Sequence, residues 1–359
     1  MGDGNDLQDI CFMPVHDGRS LVCEGGRRKT SQGLQDLNSS NTQGNTHCSA
    51  YRSQAAAANV LVSPALMHRL ADNGQSLVLL DGNGRFKARL EGSVSGNILL
   101  RRAQHEKAGN PAFSLGVARA CVAGKIRNSR QVLLRGAREA KGEFEVKRLS
   151  RGADDLAASL RALPEAKDLD TLRGLEGEAA RQYFSCIDFL IRDESRSDFA
   201  LDGRTRRPPR NRMNALLSFL YAMLMNDCRS ALEAVGLDPQ LGFLHAVRPG
   251  RAALALDLME EFRHQADRLA LTLVNRGQVR PGDFILHEGG GVTLAEAGRK
   301  AVVVAWQERK QELLTHPLLE HPVAMGLLAQ LQARFLARTL RGDMEGYLPF
   351  LLRRLRRVA

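Results

Sequence analysis

The spacing of hydrophobic positions changes along the chain and divides it into segments. Residues 1–58 are rich in Gly, Ser, Asn and Gln and show neither a two-residue nor a 3.6-residue period, which is typical of a segment without regular structure. Residues 59–92 contain short apolar runs that predict strands over Leu77–Leu80 and Phe86–Leu90. Asp-Gly-Asn-Gly at 81–84 separates the two runs, and this composition predicts a hairpin turn.

From residue 97 onward the apolar residues recur every three or four positions, which predicts helices. The segment 93–165 is expected to be a basic helical connector, 166–352 a helical domain and 353–359 a basic tail. The predicted fold class is therefore α+β, with a small N-terminal β-rich domain followed by a larger all-helical domain. The helices are predicted over residues 98–108, 115–139, 168–191, 214–235, 253–275, 294–314 and 322–340.

The charge of the chain suggests a polyanionic partner and shows where it would bind. The 359 residues carry 51 basic and 40 acidic side chains, a net charge of +11, and 42 of the basic residues are Arg. Arginine binds phosphate through a planar fork, although a genome that favours Arg codons explains the same bias equally well. Residues 61–160 have a net charge of +8 and residues 161–260 a net charge of −1, so the excess lies in the predicted connector.

Cysteine spacing and hydropathy exclude several other classes of protein. The six Cys residues form no CxxC pair, which argues against a zinc ribbon, an iron–sulfur site or a disulfide framework. No apolar run approaches the roughly 18 residues of a membrane span, and the acidic N-terminus is unlike a signal peptide. A reduced, cytoplasmic protein that does not bind membranes is expected.

Four polar residues lie where a packed helical domain would not ordinarily place them. Glu176 shares a helix face with Ala180, and His245 ends the apolar sequence Gly-Phe-Leu-His. Asp257 and Glu260 are three residues apart on one helix face. Individually, each is more simply explained as a surface acid or as a hydrogen-bonded core histidine. Together they supply carboxylate oxygens and one imidazole, which suit Mg²⁺ or Mn²⁺ in phosphodiester chemistry.

Residues 60–352 resemble the CRISPR-associated spacer-acquisition integrase, the universal CRISPR endonuclease subunit, and most closely its type I-C branch. The matching motifs occur in order over about four-fifths of the chain. They are SPALM (63–67), DGNGRF (81–86), VSGNILLRRAQ (94–104), GLEG (174–177), NALLS (214–218), GFLH (242–245), DLME (257–260), QAR (332–334) and LRGD (340–343).

The resemblance implies an activity and a set of site residues. Glu176, His245 and Glu260 would bind the divalent metal and Asp257 would be a supporting acid, so all four are candidate catalytic residues. Such proteins insert short DNA fragments into the CRISPR array when a 3′-hydroxyl attacks a phosphodiester. Alone they are metal-dependent nucleases of double-stranded and branched DNA. The implied partners are a second copy, a small ferredoxin-like adaptation subunit and, in type I-C, a RecB-like nuclease.

The sequence before Asn59 departs from the family pattern. Family members begin with several strands, and the hydrophobic pattern of residues 1–58 predicts none. We therefore expect an aberrant N-terminus, from a frameshifted or misassigned start or from a divergent extension, and an incomplete β domain. Two other functions stay open at this point: a catalytically silent DNA-binding subunit that has lost its dimerisation domain, and an unrelated basic helical protein whose acids lie on the surface.

Overall fold

A computed structural model describes residues 23–24, 27–28, 54–56, 62–73, 77–80, 86–90, 92, 98–201 and 203–352. The chain divides into two compact units, Met1–Val94 and Ser95–Ala359. Most of the segment 1–58, the predicted turn at 81–84 and the predicted basic tail 353–359 lie outside the described residues.

The first unit contains short strands and one helix. Its described elements are β1 (Cys23–Glu24), β2 (Arg27–Arg28), β3 (Gln54–Ala56), α1 (Pro64–Asp72), β4 (Leu77–Leu80) and β5 (Phe86–Leu90). Strands β1 and β2 pair antiparallel, and a separate sheet has the order β3-β4-β5, with β3 parallel and β5 antiparallel to β4. The predicted ends of β4 and β5 are confirmed. Strands β1 to β3 fall in the segment 1–58, for which the hydrophobic pattern predicts no regular structure.

The second unit is mostly helical, as predicted. Its elements are α2 (Ile98–Ala108), α3 (Pro111–Glu139), α4 (Glu143–Ala162), α5 (Leu169–Phe184), α6 (Asp193–Phe199), α7 (Arg212–Val235), α8 (Ala253–Glu260), α9 (Arg263–Asn275), β6 (Phe284–Leu286), β7 (Val292–Leu294), α10 (Glu296–Gln311), β8 (Leu313–Thr315), β9 (Pro322–Ala324) and α11 (Leu328–Arg341).

Helix α3 is the central element of this unit. It packs against α4, α5, α8 and α9, while α7 packs against α8, α9 and α11. The inner face of α3 consists mainly of small and apolar residues, among them Val117, Cys121 and Ile126, so neighbouring helices pack closely on it. The region predicted as a connector therefore contributes the middle of the helical core.

The structure corrects the prediction of an all-helical domain, because the antiparallel hairpins β6-β7 and β8-β9 interrupt its helices. Helix α4, in the predicted connector, is not among the predicted helices. The helix predicted over 253–275 is two helices, because α8 ends at Glu260 and α9 begins at Arg263. The break coincides with the side chain of Phe262 stacking on Phe350, with ring centroids 5.6 Å apart.

No helix in the described part of the chain is both long enough and apolar enough to cross a bilayer.

Candidate active site

The loop between α7 and α8 is folded around the carboxylate of Asp257. Its Oδ2 accepts hydrogen bonds from the backbone N–H groups of Phe243 and Leu244 at 2.6 and 2.9 Å, and its Oδ1 accepts one from the N–H of His245 at 2.9 Å. Oδ1 also lies 2.7 Å from Nδ1 of His245. Asp257 is 1% exposed, so a buried carboxylate fixes both the loop backbone and the imidazole ring. With the proton on Nδ1, the lone pair of Nε2 faces away from Asp257.

Gln104 of α2 holds the same loop from its other end. Its side-chain amide donates to the carbonyls of Asp238 and Leu241 at 2.8 and 2.9 Å and accepts from the N–H of Asp238. Gln104 is fully buried, and unpaired polar groups would be costly there. Gln104, the last residue of the family-like motif 94–104, therefore supports the loop that carries His245.

Gly242 allows this loop to approach α8 closely. A Cβ atom on Gly242 would lie 2.6 Å from Oδ2 of Asp257 and 2.7 Å from the backbone carbon of Ala253. The Asp257 carboxylate is hydrogen-bonded to the loop and Ala253 is part of helix α8, so moving either atom away from a Cβ would cost free energy.

Replacement of Gly242 by Ala is expected to destabilise the protein by about 2–4 kcal/mol, because it forces overpacking and separates Asp257 from the loop. Urea denaturation measures the change. Gly174→Ala is a matched control, since a Cβ at helical Gly174 contacts nothing within 4 Å and is expected to stabilise by up to about 1 kcal/mol. Equal stability of the Gly242→Ala variant and wild type would contradict this account.

Glu260 lies at the end of α8 with its carboxylate buried between cations. Its Oε1 accepts a hydrogen bond from Arg263 at 2.7 Å and lies 3.9 Å from Nε2 of His245, while its Oε2 is 2.8 Å from Nζ of Lys125. Burial alone would raise the pKa of Glu260, but Arg263 and Lys125 outweigh burial and hold the pKa well below its usual range. Glu260 is therefore ionised.

Glu176 brings a second carboxylate from α5. Its Oε1 is paired with Nζ of Lys125, the same atom that contacts Glu260. One turn earlier on α5, Arg173 donates through Nε and Nη2 to the carbonyl of Leu244 at 2.9 and 2.6 Å. This contact ties the helix that bears Glu176 to the loop that bears His245.

The structure thus brings all four sequence-predicted site residues into one cluster. The side chains of Asp257 and Glu260 are 1% and 2% exposed, whereas those of His245 and Glu176 are 21% and 25% exposed. The cluster therefore has a buried acidic floor and an accessible rim. A substrate would approach from the side of His245 and Glu176.

Sequence reasoning missed two cations of the site, Lys125 and Arg263. Lys125 was counted with the basic residues of the predicted connector, yet it follows Cys121 and Val122 by four and three residues, on the apolar face of α3. That spacing was the available signal that its charge is buried. Arg263 follows Glu260 by three residues, and its guanidinium lies over the ring of Tyr221, 4.8 Å from the centroid.

Two tyrosines near the site form a buried network with Asp267. Tyr183 and Tyr221 donate hydrogen bonds to the carboxylate of Asp267 at 3.0 and 2.5 Å. Burial raises the pKa of Asp267 to about 6, although both hydroxyls oppose the shift. Ser218, which also belongs to a family-like motif, accepts a hydrogen bond from Arg204 at 3.2 Å. All three hydroxyls thus have partners within the protein.

Glu261, the residue after Glu260, anchors the C-terminal segment. Its carboxylate accepts hydrogen bonds from the hydroxyl of Tyr347, from Gln332 at 2.9 Å and from the N–H of Phe350 at 2.7 Å. Burial raises the pKa of Glu261 to about 7 despite these bonds. The end of α8 is therefore fixed by the polar network of Glu261.

The donor set of the cluster fits a hard divalent cation. Two carboxylates and one imidazole are ligands that Mg²⁺ and Mn²⁺ accept, and Oε2 of the buried Glu260 is engaged by the ammonium of Lys125 at 2.8 Å. Among the described residues, no three acidic, histidine or cysteine side chains are arranged around one coordination point, and the ammonium of Lys125 lies between Glu176 and Glu260. The ligand atoms are therefore of the kind that a divalent ion requires, but the ammonium of Lys125 would have to leave the two carboxylates before an ion could bind there.

The basic residues of α2 and α3 divide into internal and exposed groups. Arg101 donates to the carbonyl of Gly236, Arg119 to those of Leu163 and Ala166, and Arg130 to that of Ala153. Arg127 and Arg138 are exposed. Part of the positive charge that predicted a phosphate-binding surface therefore binds carbonyl oxygens inside the protein.

Residues 39–308 match the family model described as CRISPR associated protein Cas1. Two similar proteins are named CRISPR-associated endonuclease Cas1. One, from Moorella thermoacetica, is 53% identical over 82% of this chain and 86% of its own length. The other, from Rhodospirillum rubrum, is 50% identical over 80% of this chain and 84% of its own length. A Geobacter sulfurreducens protein named Cas4/endonuclease Cas1 fusion is 35% identical over 82% of this chain and 53% of its own length.

Solved structures share the fold. A CAS1 protein from Thermotoga maritima superposes with a TM-score of 0.68 at 25% identity, covering 84% of this chain and 89% of that chain. A chain of a Cas6-RT-Cas1–Cas2 complex superposes with a TM-score of 0.68 at 24% identity, covering 83% of this chain and 32% of that chain.

Proposed function

The chain belongs to the Cas1 family of CRISPR-associated proteins, and we propose that it cleaves and joins DNA through the site formed by Glu176, His245 and Glu260. The family match and the identity to named Cas1 endonucleases make it a DNA endonuclease and integrase of CRISPR adaptation. The observation that supports this site is the convergence of an oriented imidazole and two carboxylates from three elements of the helical unit.

Each residue of the site has a distinct task. Asp257 positions His245 by holding Nδ1 and the loop backbone, so that Nε2 points toward Glu260. Arg263 holds one oxygen of Glu260 and fixes the carboxylate in its ionised form. Arg173 keeps Glu176 in line with the His245 loop. These contacts preorganise the three metal-binding side chains, which lowers the reorganisation needed when substrate arrives.

Glu176, His245 and Glu260 would hold a Mg²⁺ or Mn²⁺ ion. Such an ion, when bound, polarises a phosphoryl oxygen and activates a 3′-hydroxyl or water for attack on phosphorus. The protein itself keeps Glu260 ionised, directs Nε2 of His245 into the cluster and leaves the rim of His245 and Glu176 open to the DNA backbone.

The assembly in which this site acts is also part of the proposal. We infer a homodimer that binds double-stranded and branched DNA and associates with a ferredoxin-like second adaptation subunit. The likeness to a chain of a Cas1–Cas2 complex is a likeness of fold that agrees with such a partner. The relative fused to Cas4 supports a RecB-like nuclease as a further partner, as the type I-C resemblance implies.

Removal of divalent cations tests the metal requirement. EDTA is expected to abolish nicking of branched DNA, and added Mn²⁺ or Mg²⁺ is expected to restore it, because the acids and His245 supply no Lewis acid for the phosphoryl oxygen without the ion. Gel assays on a labelled branched duplex measure the effect. Cleavage that persists in EDTA would contradict the metal site. Binding of this DNA without cleavage in Mn²⁺ would instead favour the silent DNA-binding subunit.

A further inference from the structure

Lys125 is a buried ammonium group inside the helical unit. It lies in the middle of α3 between Gly124 and Ile126, both buried, and it is 8% exposed. A buried ammonium costs free energy unless charged partners surround it. Its partners therefore explain why a lysine lies on this apolar face.

Both partners of Lys125 are carboxylates of the candidate metal site. Nζ pairs with Oε1 of Glu176 and lies 2.8 Å from Oε2 of Glu260. The two acids come from different helices, α5 and α8, and they would repel each other without a cation between them. The ammonium group thus occupies the position between the carboxylates that a divalent ion would take.

The two cations that contact Glu260 differ in their freedom to leave. Arg263 donates to Oε1 of Glu260 and lies over the ring of Tyr221, so its guanidinium is held at one nitrogen and on one face. Lys125 has a four-carbon stem and a compact head group, and its stem can stay buried while the ammonium moves. Lys125 is therefore the cation that metal binding would displace.

We propose that Lys125 is a built-in counter-ion that holds Glu176 and Glu260 together in the metal-free protein and competes with the divalent ion for them. The inference rests on the proposed metal site. A divalent ion binds carboxylate oxygens at about 2.1 Å, so it cannot share the space with the ammonium. Lys125 is a positioning residue: it keeps the acids folded inward before the ion arrives and lowers the affinity for the ion.

The variant Lys125→Met tests the competition because methionine fills a similar volume without a charge. Calorimetric titration with Mn²⁺ alone is expected to give on the order of tenfold tighter binding than wild type, since one competing charge has been removed. In EDTA the melting temperature of the variant is expected to fall below that of wild type. Mn²⁺ is expected to raise it by a larger shift than in wild type.

Lys310→Met is the matched control. Lys310 is likewise a lysine in an ion pair, 3.2 Å from Asp227 and with a side chain only 19% exposed, and its partner is not one of the candidate metal ligands. This variant is expected to bind Mn²⁺ as wild type does and to lose the same stability with and without the ion.

The outcomes separate this inference from the proposed function. Unchanged or weaker Mn²⁺ binding by Lys125→Met, with binding intact in wild type, would overturn the role of Lys125 alone. Absence of Mn²⁺ binding in wild type would overturn the metal site as well. If Lys125→Met folds only in the presence of Mn²⁺, the counter-ion role is supported. If it folds under neither condition, Lys125 is a purely structural residue and the proposal is wrong.

Discussion

Replacement of His245 by Ala is expected to abolish metal-dependent nicking and integration while leaving the fold intact. The imidazole supplies Nε2 to the cluster, and loss of a ligand that supports transition-state charge is worth several kcal/mol, or about 10³-fold in rate. The fold is expected to survive because Asp257 still accepts three backbone hydrogen bonds from the loop.

Rates on a branched DNA substrate in Mn²⁺, together with urea denaturation, measure both parts of this prediction. His105→Ala is the control, since His105 is an exposed residue of α2 and its loss is expected to change neither quantity. An active His245→Ala protein would show that the imidazole takes no part in the chemistry. Loss of folding in His245→Ala would show that His245 holds the loop, rather than the reverse.

Replacement of Asp257 by Ala, unlike that of His245, is expected to lower the stability of the protein strongly as well as its activity. It leaves the buried N–H groups of Phe243, Leu244 and His245 without acceptors, which costs about 3–5 kcal/mol in total. It also frees the imidazole from its orienting partner, and loss of such a partner lowers metal affinity or activity by about 10–100-fold. Urea denaturation and the nicking assay measure the two losses.

Asp257→Asn refines this experiment because it conserves volume and one acceptor oxygen. It is expected to lose less stability than Asp257→Ala but to lose activity comparably, since its amide cannot accept from Nδ1 and the backbone in the same arrangement. A stable Asp257→Ala protein would contradict the loop geometry. A fully active Asp257→Asn protein would contradict the positioning of His245.

The hydrophobic pattern predicted the bounds of an element correctly where neighbouring residues determine the structure. The strands Leu77–Leu80 and Phe86–Leu90 were predicted with the ends that they have, because turn residues lie on either side of short apolar runs. The helix over residues 98–108 was predicted from another local signal, the three- and four-residue spacing of its apolar positions. In these segments, neighbouring residues alone carry the information.

The pattern failed where distant residues set the structure. The break between α8 and α9 follows no Gly or Pro; there, Glu261 accepts hydrogen bonds from Tyr347 and from Phe350, which are 86 and 89 positions away. A continuous helical period over 253–275 carries no sign of this contact. The hairpins of the second unit are only three residues per strand, too short for a clear alternation.

For the candidate site, too, the sequence indicated the residues but not their arrangement. Glu176, His245, Asp257 and Glu260 were singled out because acids and an imidazole in apolar surroundings need a partner. Their mutual arrangement needs tertiary structure, and so does the role of Lys125, whose charge suggested a surface contact with DNA. The burial of Lys125 is therefore seen in the structure and cannot be inferred from the charge composition.

The central claim is that Glu176, His245 and Glu260 form one divalent-metal site. Anomalous scattering at the manganese edge, from crystals grown with Mn²⁺, tests it most directly. The account predicts one strong peak bound by both carboxylates and by Nε2 of His245, at about 2.1–2.3 Å, with Nζ of Lys125 withdrawn from Glu176. A peak elsewhere, or a Lys125 that still bridges Glu176 and Glu260 in saturating Mn²⁺, would contradict it.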